Sequence, residues 1–235
     1  MKKVAVLQSN YIPWKGYFDV IGMVDEFIFY DEMQYTKNDW RNRNKIKTEQ
    51  GLKWLTIPVE NSQRLTVGQK ISETLIFDKR WNRKHWETIK NAYRRAPFFN
   101  KYKDVFEYLY LGKDEDRLVD VNYKFIYAIC NLLDIKTKIS FDKDYGLIDG
   151  KTERIVNLVQ KANGTEYLSG PAAKDYIQES LFEEAGIKLT WVDYSHYSEY
   201  SQLYPPFEHA VSIIDLLFNC GDDAKYKMKF TQNNT

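Results

Sequence analysis

The stretch KVAVLQSNYIPWKGYFDVIGMVDEFIFYD, residues 3–31, decides how the chain is read. Its first six residues, KVAVLQ, form a short apolar run of the length and branched content of a buried strand. NYIPWKGYFDVIGMV then places a Pro-Trp turn ahead of a helix with Phe18, Ile21 and Met23 inward, and EFIFYD at 26–31 is a second strand. Strand, turn, helix and strand make a βαβ-like opening. Its polar turn, residues 10–16, falls just past the carboxyl end of the first strand, where such units bind ligands.

From residue 137 the same alternation returns. TKISF reads as a strand, ERIVNLVQKA as a helix closed by Asn163-Gly164, EYLSG as a strand, PAAKDYIQESLFEEA as a helix closed by Gly186, and IKLTWVDY as a strand. Pro171 suits a first helical turn and each Gly a C-terminal cap. Between the two halves, strands are expected at 53–59 and 70–77, separated by a polar loop. The span 79–111 is expected to be helical, with Trp81, His85, Ile89 and Tyr93 at helical spacing and a stop at Pro97, and a further helix runs from 117 to 133. A last helix, AVSIIDLLFNC, ends at Gly221. The expected class is α/β: a mostly parallel sheet with helices on both faces, Rossmann-like with HUP-like as a variant, plus a helical insertion. The corresponding parts are 1–78, the start of the core with a basic loop; 79–135, the insertion; and 136–235, the rest of the core.

At 235 residues and 43% hydrophobic content, the chain can bury a sizeable core as one compact unit. A formal charge of +1 gives no strong overall field toward nucleic acid or membrane, so recognition of an anion has to be local. Cys130 and Cys220 lie apart in apolar stretches, which fits buried thiols in a reducing compartment. No stretch approaches the roughly 18 apolar residues of a membrane span, and the expected location is cytoplasmic.

A local excess does occur. In QYTKNDWRNRNKIKT, residues 34–48, Lys37, Arg41, Arg43, Lys45 and Lys47 face only Asp39, with Lys53 and Glu49 just beyond. Arg makes paired planar hydrogen bonds to phosphate or carboxylate, and Asn42 and Asn44 add adaptable donors and acceptors. Were the segment extended, Arg41, Arg43 and Lys45 would share one face and grip an anion, with Trp40, Asn42 and Asn44 on the other. A second excess, Lys79 to Lys103, interleaves cations with Trp81 and Trp86, the composition of a groove for single-stranded nucleic acid. The opening turn is neither a G-x-G-x-x-G nor a Walker sequence, yet such a link can offer N–H groups and a helix end to a phosphate. Ser169-Gly170 after a strand suits a phosphate or oxyanion turn. His196, directly after a strand end, stands where a site residue is expected, and no two histidines have metal-ligand spacing. Asp31 and Asp215 require partners if buried.

Taken together, LQSNYIPWKGYFDVI, FIFYDEMQYTKNDWRNRNKIKT, YLSGPAAKDYI and IIDLLFNCG resemble the WbqC-like family over nearly the whole chain. That family is associated with bacterial surface-polysaccharide gene clusters. The resemblance implies glycine-type aminoacyl transfer to the amine of a nucleotide-linked amino sugar in O-antigen or similar glycan synthesis, so the implied partners are that sugar and an aminoacyl donor. The candidate substrate-binding positions are Gln8, Asn10, Tyr11, Tyr17, Gln34, Tyr35, Trp40, Arg41, Asn42, Arg43, Asn44, Lys45, Lys47, Ser169 and Gly170, carried onto this chain from the resemblance, together with Trp14 and Lys15 in the same opening turn. His196 is the candidate base for the amine proton, with Asp31 as a second catalytic candidate. The chain departs from relatives at Ser9, where Pro is expected, and at Glu32, where Asp is more usual. A looser likeness to HUP-class ligases implies ATP as cofactor, although the H-x-G-H signature is missing. The alternatives are a single-stranded nucleic-acid module over 36–103 and a noncatalytic partner in a polysaccharide assembly complex, using the aromatic region 191–207. No metal is implied, and the oligomeric state stays open.

Overall fold

The computed structural model describes residues 1–60 and 68–231. The chain runs through β1 (Lys3–Leu7), α1 (Lys15–Gly22) and β2 (Glu26–Phe29), and then leaves the sheet for a hairpin of β3 (Arg43–Thr48) and β4 (Gly51–Thr56). Three helices follow, α2 (Trp81–Tyr93), α3 (Phe99–Leu111) and α4 (Leu118–Leu132). The chain rejoins the sheet at β5 (Lys138–Phe141) and continues through α5 (Thr152–Lys161), β6 (Glu166–Ser169), α6 (Glu179–Glu184), β7 (Lys188–Trp191) and α7 (Ile213–Cys220).

The main sheet has the order β5-β2-β1-β6-β7, and every neighbouring pair is parallel. This is the Rossmann-like arrangement expected. Successive side chains of a strand point to opposite faces. Ala5, Phe27 and Phe29 therefore pack into one large core with residues of α1 to α4 and α7, while Val4, Val6 and Ile28 meet α5 and α6 on the other face. The strand order reverses beside β1: connections from it build outward through β2 to β5, and the later half starts afresh at β6. A crevice opens between the carboxyl ends of β1 and β6, at the topological switch point.

Several local expectations need correction. Residues 70–77 do not form a strand; Ile71–Glu73 is a 3-10 turn. Ile71 and Ile76 are buried while Leu75 and Phe77 are exposed, and the backbone bonds of the stretch go to separate segments. Ser72 N–H reaches Asp31 O at 2.9 Å, Ile71 N–H reaches Met33 O at 2.9 Å, and Ile76 N–H reaches Asp116 O at 2.8 Å. The polar loop before them falls mostly at 61–67, outside the described residues, as does the end of the C-terminal tail, 232–235. The span 171–185 is likewise not one helix. Pro171–Asp175 is a 3-10 turn, and the chain then extends at Gln178 before α6, with the Gln178 N–H donated to Thr152 Oγ1 at 3.2 Å instead of to a helical carbonyl. Helices α2 and α3 are separated around Pro97, where the stop was expected.

A buried carboxylate joins three strands at the far end of the sheet. Glu26, whose side chain is fully buried, accepts from Lys2 Nζ at 2.7 Å, Ser140 Oγ at 2.6 Å, Lys138 Nζ at 3.1 Å and the Tyr145 hydroxyl. Burial alone would raise its pKa, but these donors outweigh it and hold the carboxyl down at about 2. A depressed carboxylate stabilises the fold above its unfolded pKa and loses that contribution as pH falls. Glu26→Gln is expected to lower stability by about 2 kcal/mol at neutral pH, since each charge-assisted bond contributes about 1.5–3 kcal/mol. In urea denaturation, the gap from the natural protein should persist above pH 4.5 and close as pH falls toward about 2. A gap independent of pH would show that Glu26 is not the anchor.

Candidate functional site

The crevice between β1 and β6 is a cleft of about 760 Å³, within the size range of small-molecule sites. Gln8, Asn10, Trp14 and Tyr17 line it from the first strand and turn, and Ser169 and Gly170 from the end of β6. Tyr30, Met33, Gln34, Trp40 and Arg41 follow β2, and Lys151 and Arg154 stand at the start of α5. Its charged lining is wholly cationic, Arg41, Lys151 and Arg154, among the described residues.

Arg41 is the centre of this lining. Its guanidinium donates Nη1 to Asn10 Oδ1 and Nη2 to Gln8 Oε1, with Asp39 3.4 Å away. The side chain is 14% exposed, and its buried Nε has no partner among the described residues. The backbone explains how it gets there. Tyr11 N–H donates to Trp40 O at 3.1 Å, Asn44 Nδ2 donates to the Tyr11 and Ile12 carbonyls at 3.2 and 2.9 Å, and Asn122 Nδ2 donates to Arg41 O at 3.0 Å and Ser9 Oγ at 3.1 Å. Residues 40–44 are thereby laced to the turn after β1. Ile12 sits at φ 37, an outlier for a β-branched residue, in the middle of this lacing.

The rest of the basic segment behaves differently from the single gripping face expected of an extended run. Arg43 and Lys45 lie on the outer side of the β3–β4 hairpin, where Arg43 stacks on Trp54 with its guanidinium carbon 4.5 Å from the ring centre and Lys45 Nζ lies 5.7 Å away. Lys47 is buried and donates to Gln202 Oε1 at 2.7 Å and to Pro206 O. Asn42 and Asn44 point inward, where Asn42 Nδ2 donates to Ile57 O at 2.8 Å. One cation of the run reaches the cleft.

Trp14 and Trp40 form the rim. Trp40 is 42% exposed and leans on Trp54, with ring centres 5.5 Å apart, and Trp14 meets Tyr194 edge-on at 5.0 Å. Gly16 makes room for Trp14: a Cβ there would come within 2.3 Å of the indole. Tyr194, whose hydroxyl burial pushes up to about 12, passes over Gly170.

Other expected positions support the site from below. Tyr17 Oη donates to Gln8 O at 3.0 Å. Tyr11 is buried, its hydroxyl 2.9 Å from His85 Nδ1 and 2.7 Å from Tyr110 Oη; burial holds His85 down at about 4, so it is neutral. Tyr35 is buried beneath the loop carrying Asp39, and its pKa is raised to about 12 by burial. Lys15 is buried against the Tyr197 ring at 4.4 Å, with Nζ 3.1 Å from His209 Nδ1, and burial lowers it to about 8. It ties α1 to the segment 197–209, away from the cleft lining. Asp31 is a clamp: Oδ1 accepts the Ser9 N–H at 2.9 Å and Oδ2 accepts the Tyr123 hydroxyl at 2.9 Å. Asp215 has the same character, accepting from Tyr93 at 2.8 Å, Tyr200 at 2.7 Å and Gln202 at 2.9 Å. His196 is exposed at φ 59 and does not line the cleft, which departs from the role expected of it.

Arg154 and Lys151 were not singled out by sequence reasoning. Their signal was positional: they open the helix that leads into β6, on the other side of the switch point, where the positive helix end favours anions. Arg154 is held by Ile148 O at 2.6 Å and by Met33 Sδ at 2.9 Å. The second basic run is of another kind. Trp81 and Trp86 are buried at 6% and 1% exposure and cannot stack on a base, and Lys79, Arg80, Lys90 and Lys101 pair with Asp116, Asp78, Glu87 and Asp222. Burial raises the Cys130 and Cys220 thiols to about 12 and about 11, so neither is a ready nucleophile. Among the described residues there is no His, Cys, Asp and Glu cluster suited to a metal ion, and no helix is long and apolar enough to cross a membrane.

The strand order and the cationic, aromatic-rimmed crevice define a Rossmann-like α/β protein with its candidate site at the switch point. Residues 8–227 match the WbqC-like protein family, and the chain belongs to it. It is 50% identical over 230 residues to the uncharacterized protein Rv1507c of Mycobacterium tuberculosis (strain ATCC 25618 / H37Rv), which covers 98% of this chain and 99% of that relative. No solved structure matches the chain.

The Asp31 clamp generates a stability test. Asp31→Ala strands a buried donor, the Ser9 N–H, and a half-buried one, Tyr123 Oη, each costing about 1–3 kcal/mol. A loss of about 2–4 kcal/mol in urea denaturation is expected. A loss below about 0.5 kcal/mol, the usual surface effect, would show that the carboxylate does not hold the turn.

Proposed function

We propose that the cleft binds a nucleotide-linked amino sugar and that the protein acylates its amine, in surface-polysaccharide synthesis. The observation that carries this reading is the Arg41 guanidinium fastened by Gln8 and Asn10 over the mouth between β1 and β6. Arg154 and Lys151 stand on the α5 side of the same cleft, so a diphosphate would meet cations from both halves of the sheet. The indoles of Trp14 and Trp40 offer faces to a base or a sugar ring. Family membership supports the polysaccharide context through the gene clusters in which such proteins occur, and the aminoacyl group is what the resemblance implies for the donor.

In the reaction, the sugar amine attacks the acyl carbon. A C–N bond forms, the bond from that carbon to the donor breaks, and the leaving group keeps its electron pair. The cleft lining holds no carboxylate or imidazole among the described residues, so the amine proton passes to solvent or to the leaving group. What these residues contribute is orientation and stabilisation of charge. Arg41, Lys151 and Arg154 would equally hold the phosphates of ATP, whose chemistry when bound is activation of a carboxylate.

Calorimetric titration with a panel of nucleotide-sugars is expected to give saturable binding to at least one of them. Arg41→Ala should weaken it at least about tenfold, or about 1.4 kcal/mol. His196→Ala should leave affinity within about twofold, as for a surface residue outside the site. No binding across the panel, or an Arg41→Ala protein that binds equally well, contradicts the reading.

A further inference from the structure

Behind the rim of the cleft lies a second, smaller cavity of about 230 Å³, lined by Asn10, Pro13, Trp14, Trp40, Asn44 and Ala210. Asn10, Trp14 and Trp40 also line the cleft, so the two spaces share a wall. Resting on the proposed function, we infer that this side cavity receives the group being transferred, and that this group is a short uncharged acyl chain rather than an ammonium-bearing aminoacyl group.

The size and the chemistry of the walls carry the inference. An engineered apolar cavity of about 150 Å³ holds a benzene, so this one accommodates a short chain but not a nucleotide. Four of its six lining residues are apolar, two of them indoles. The two amides are nearly spent. Asn44 gives Nδ2 to the Tyr11 and Ile12 carbonyls, and its Oδ1 takes the Lys45 N–H at 2.7 Å. Asn10 Oδ1 is occupied by Arg41. Among the lining side chains, the polar groups left without a partner among the described residues are Asn10 Nδ2 and the indole N–H groups of Trp14 and Trp40, and all of them are donors. A lining that offers spare donors and no spare side-chain acceptor matches an acyl carbonyl, and the apolar walls match the chain attached to it. An ammonium placed there would have indole faces but neither a carboxylate nor a free side-chain acceptor among the described residues to offset its desolvation. The shared wall also sets the geometry: Asn10 holds Arg41 through its oxygen and lines both spaces, which brings the carbonyl beside the ligand held by Arg41.

The test uses propionamide and glycinamide, which differ by a methyl in place of an ammonium at nearly equal size, with saturation-transfer NMR on the full chain. Propionamide is expected to give a saturable response at least about fivefold stronger than that of glycinamide at pH 7, and Ala210→Leu, which fills the cavity from its exposed side, should abolish it. Nucleotide-sugar affinity of Ala210→Leu should match the natural protein, which also shows that the variant is folded. Glycinamide binding as well as propionamide, no propionamide response, or a response that survives Ala210→Leu would each overturn the inference. No nucleotide-sugar binding by the natural protein, with its propionamide response intact, would instead overturn the proposed function and leave only the cavity's preference for a short uncharged chain standing.

Discussion

Everything at the site depends on the lacing of two short segments, the turn after β1 and residues 40–44. Asn44, Asn122 and the Tyr11 and Trp40 backbones are all spent on that seam. Its consequence is that Arg41, forty residues along the chain, stands at the carboxyl end of the first strand with its guanidinium held by Gln8 and Asn10. Orienting a guanidinium in advance lowers the conformational entropy lost when an anion arrives, which is how a chain with a net charge of only +1 can still provide a local anion site.

The seam is in turn supported by buried polar groups that have found partners. Asp31 holds Ser9 from below, and Asp215 gathers Tyr93, Tyr200 and Gln202, with Lys47 reaching Gln202 and Pro206 beside them. Burial raises the pKa of both aspartates. Each is a costly group that becomes useful only when its neighbours are in register, so these networks specify one arrangement of turn, hairpin and α7. The strained φ of Ile12 persists within the seam because Asn44 and Tyr11 over-determine it.

The sheet was legible in the sequence because its signal is local. Short apolar runs at β1, β2, β5, β6 and β7, separated by amphipathic helices, imply parallel pairing. The cleft was legible in part: Gln8, Asn10, Gln34, Trp40, Arg41, Ser169 and Gly170 all line it. What remained hidden depends on tertiary pairing. The run from Arg41 to Lys47 has the same composition throughout, but β3 turns Arg43 and Lys45 toward Trp54 and carries Lys47 into a buried network. His196 looked apt because it follows a strand, whereas the chain there swings outward and leaves the imidazole exposed. Residues 70–77 carried the apolar content of a strand without a partner strand to pair with. The Trp residues among the cations of α2 read as a stacking surface until helical phase is taken into account, which turns Trp81 and Trp86 into the core.

The central claim, that the switch-point cleft closes on an anion through Arg41, is tested most directly by a crystal structure of the protein with a nucleotide-sugar bound. The account requires a phosphate oxygen within about 3 Å of the Arg41 guanidinium, between the carboxyl ends of β1 and β6. A nucleotide-sugar bound elsewhere, with Arg41 still engaged only by Gln8, Asn10 and Asp39, would contradict it.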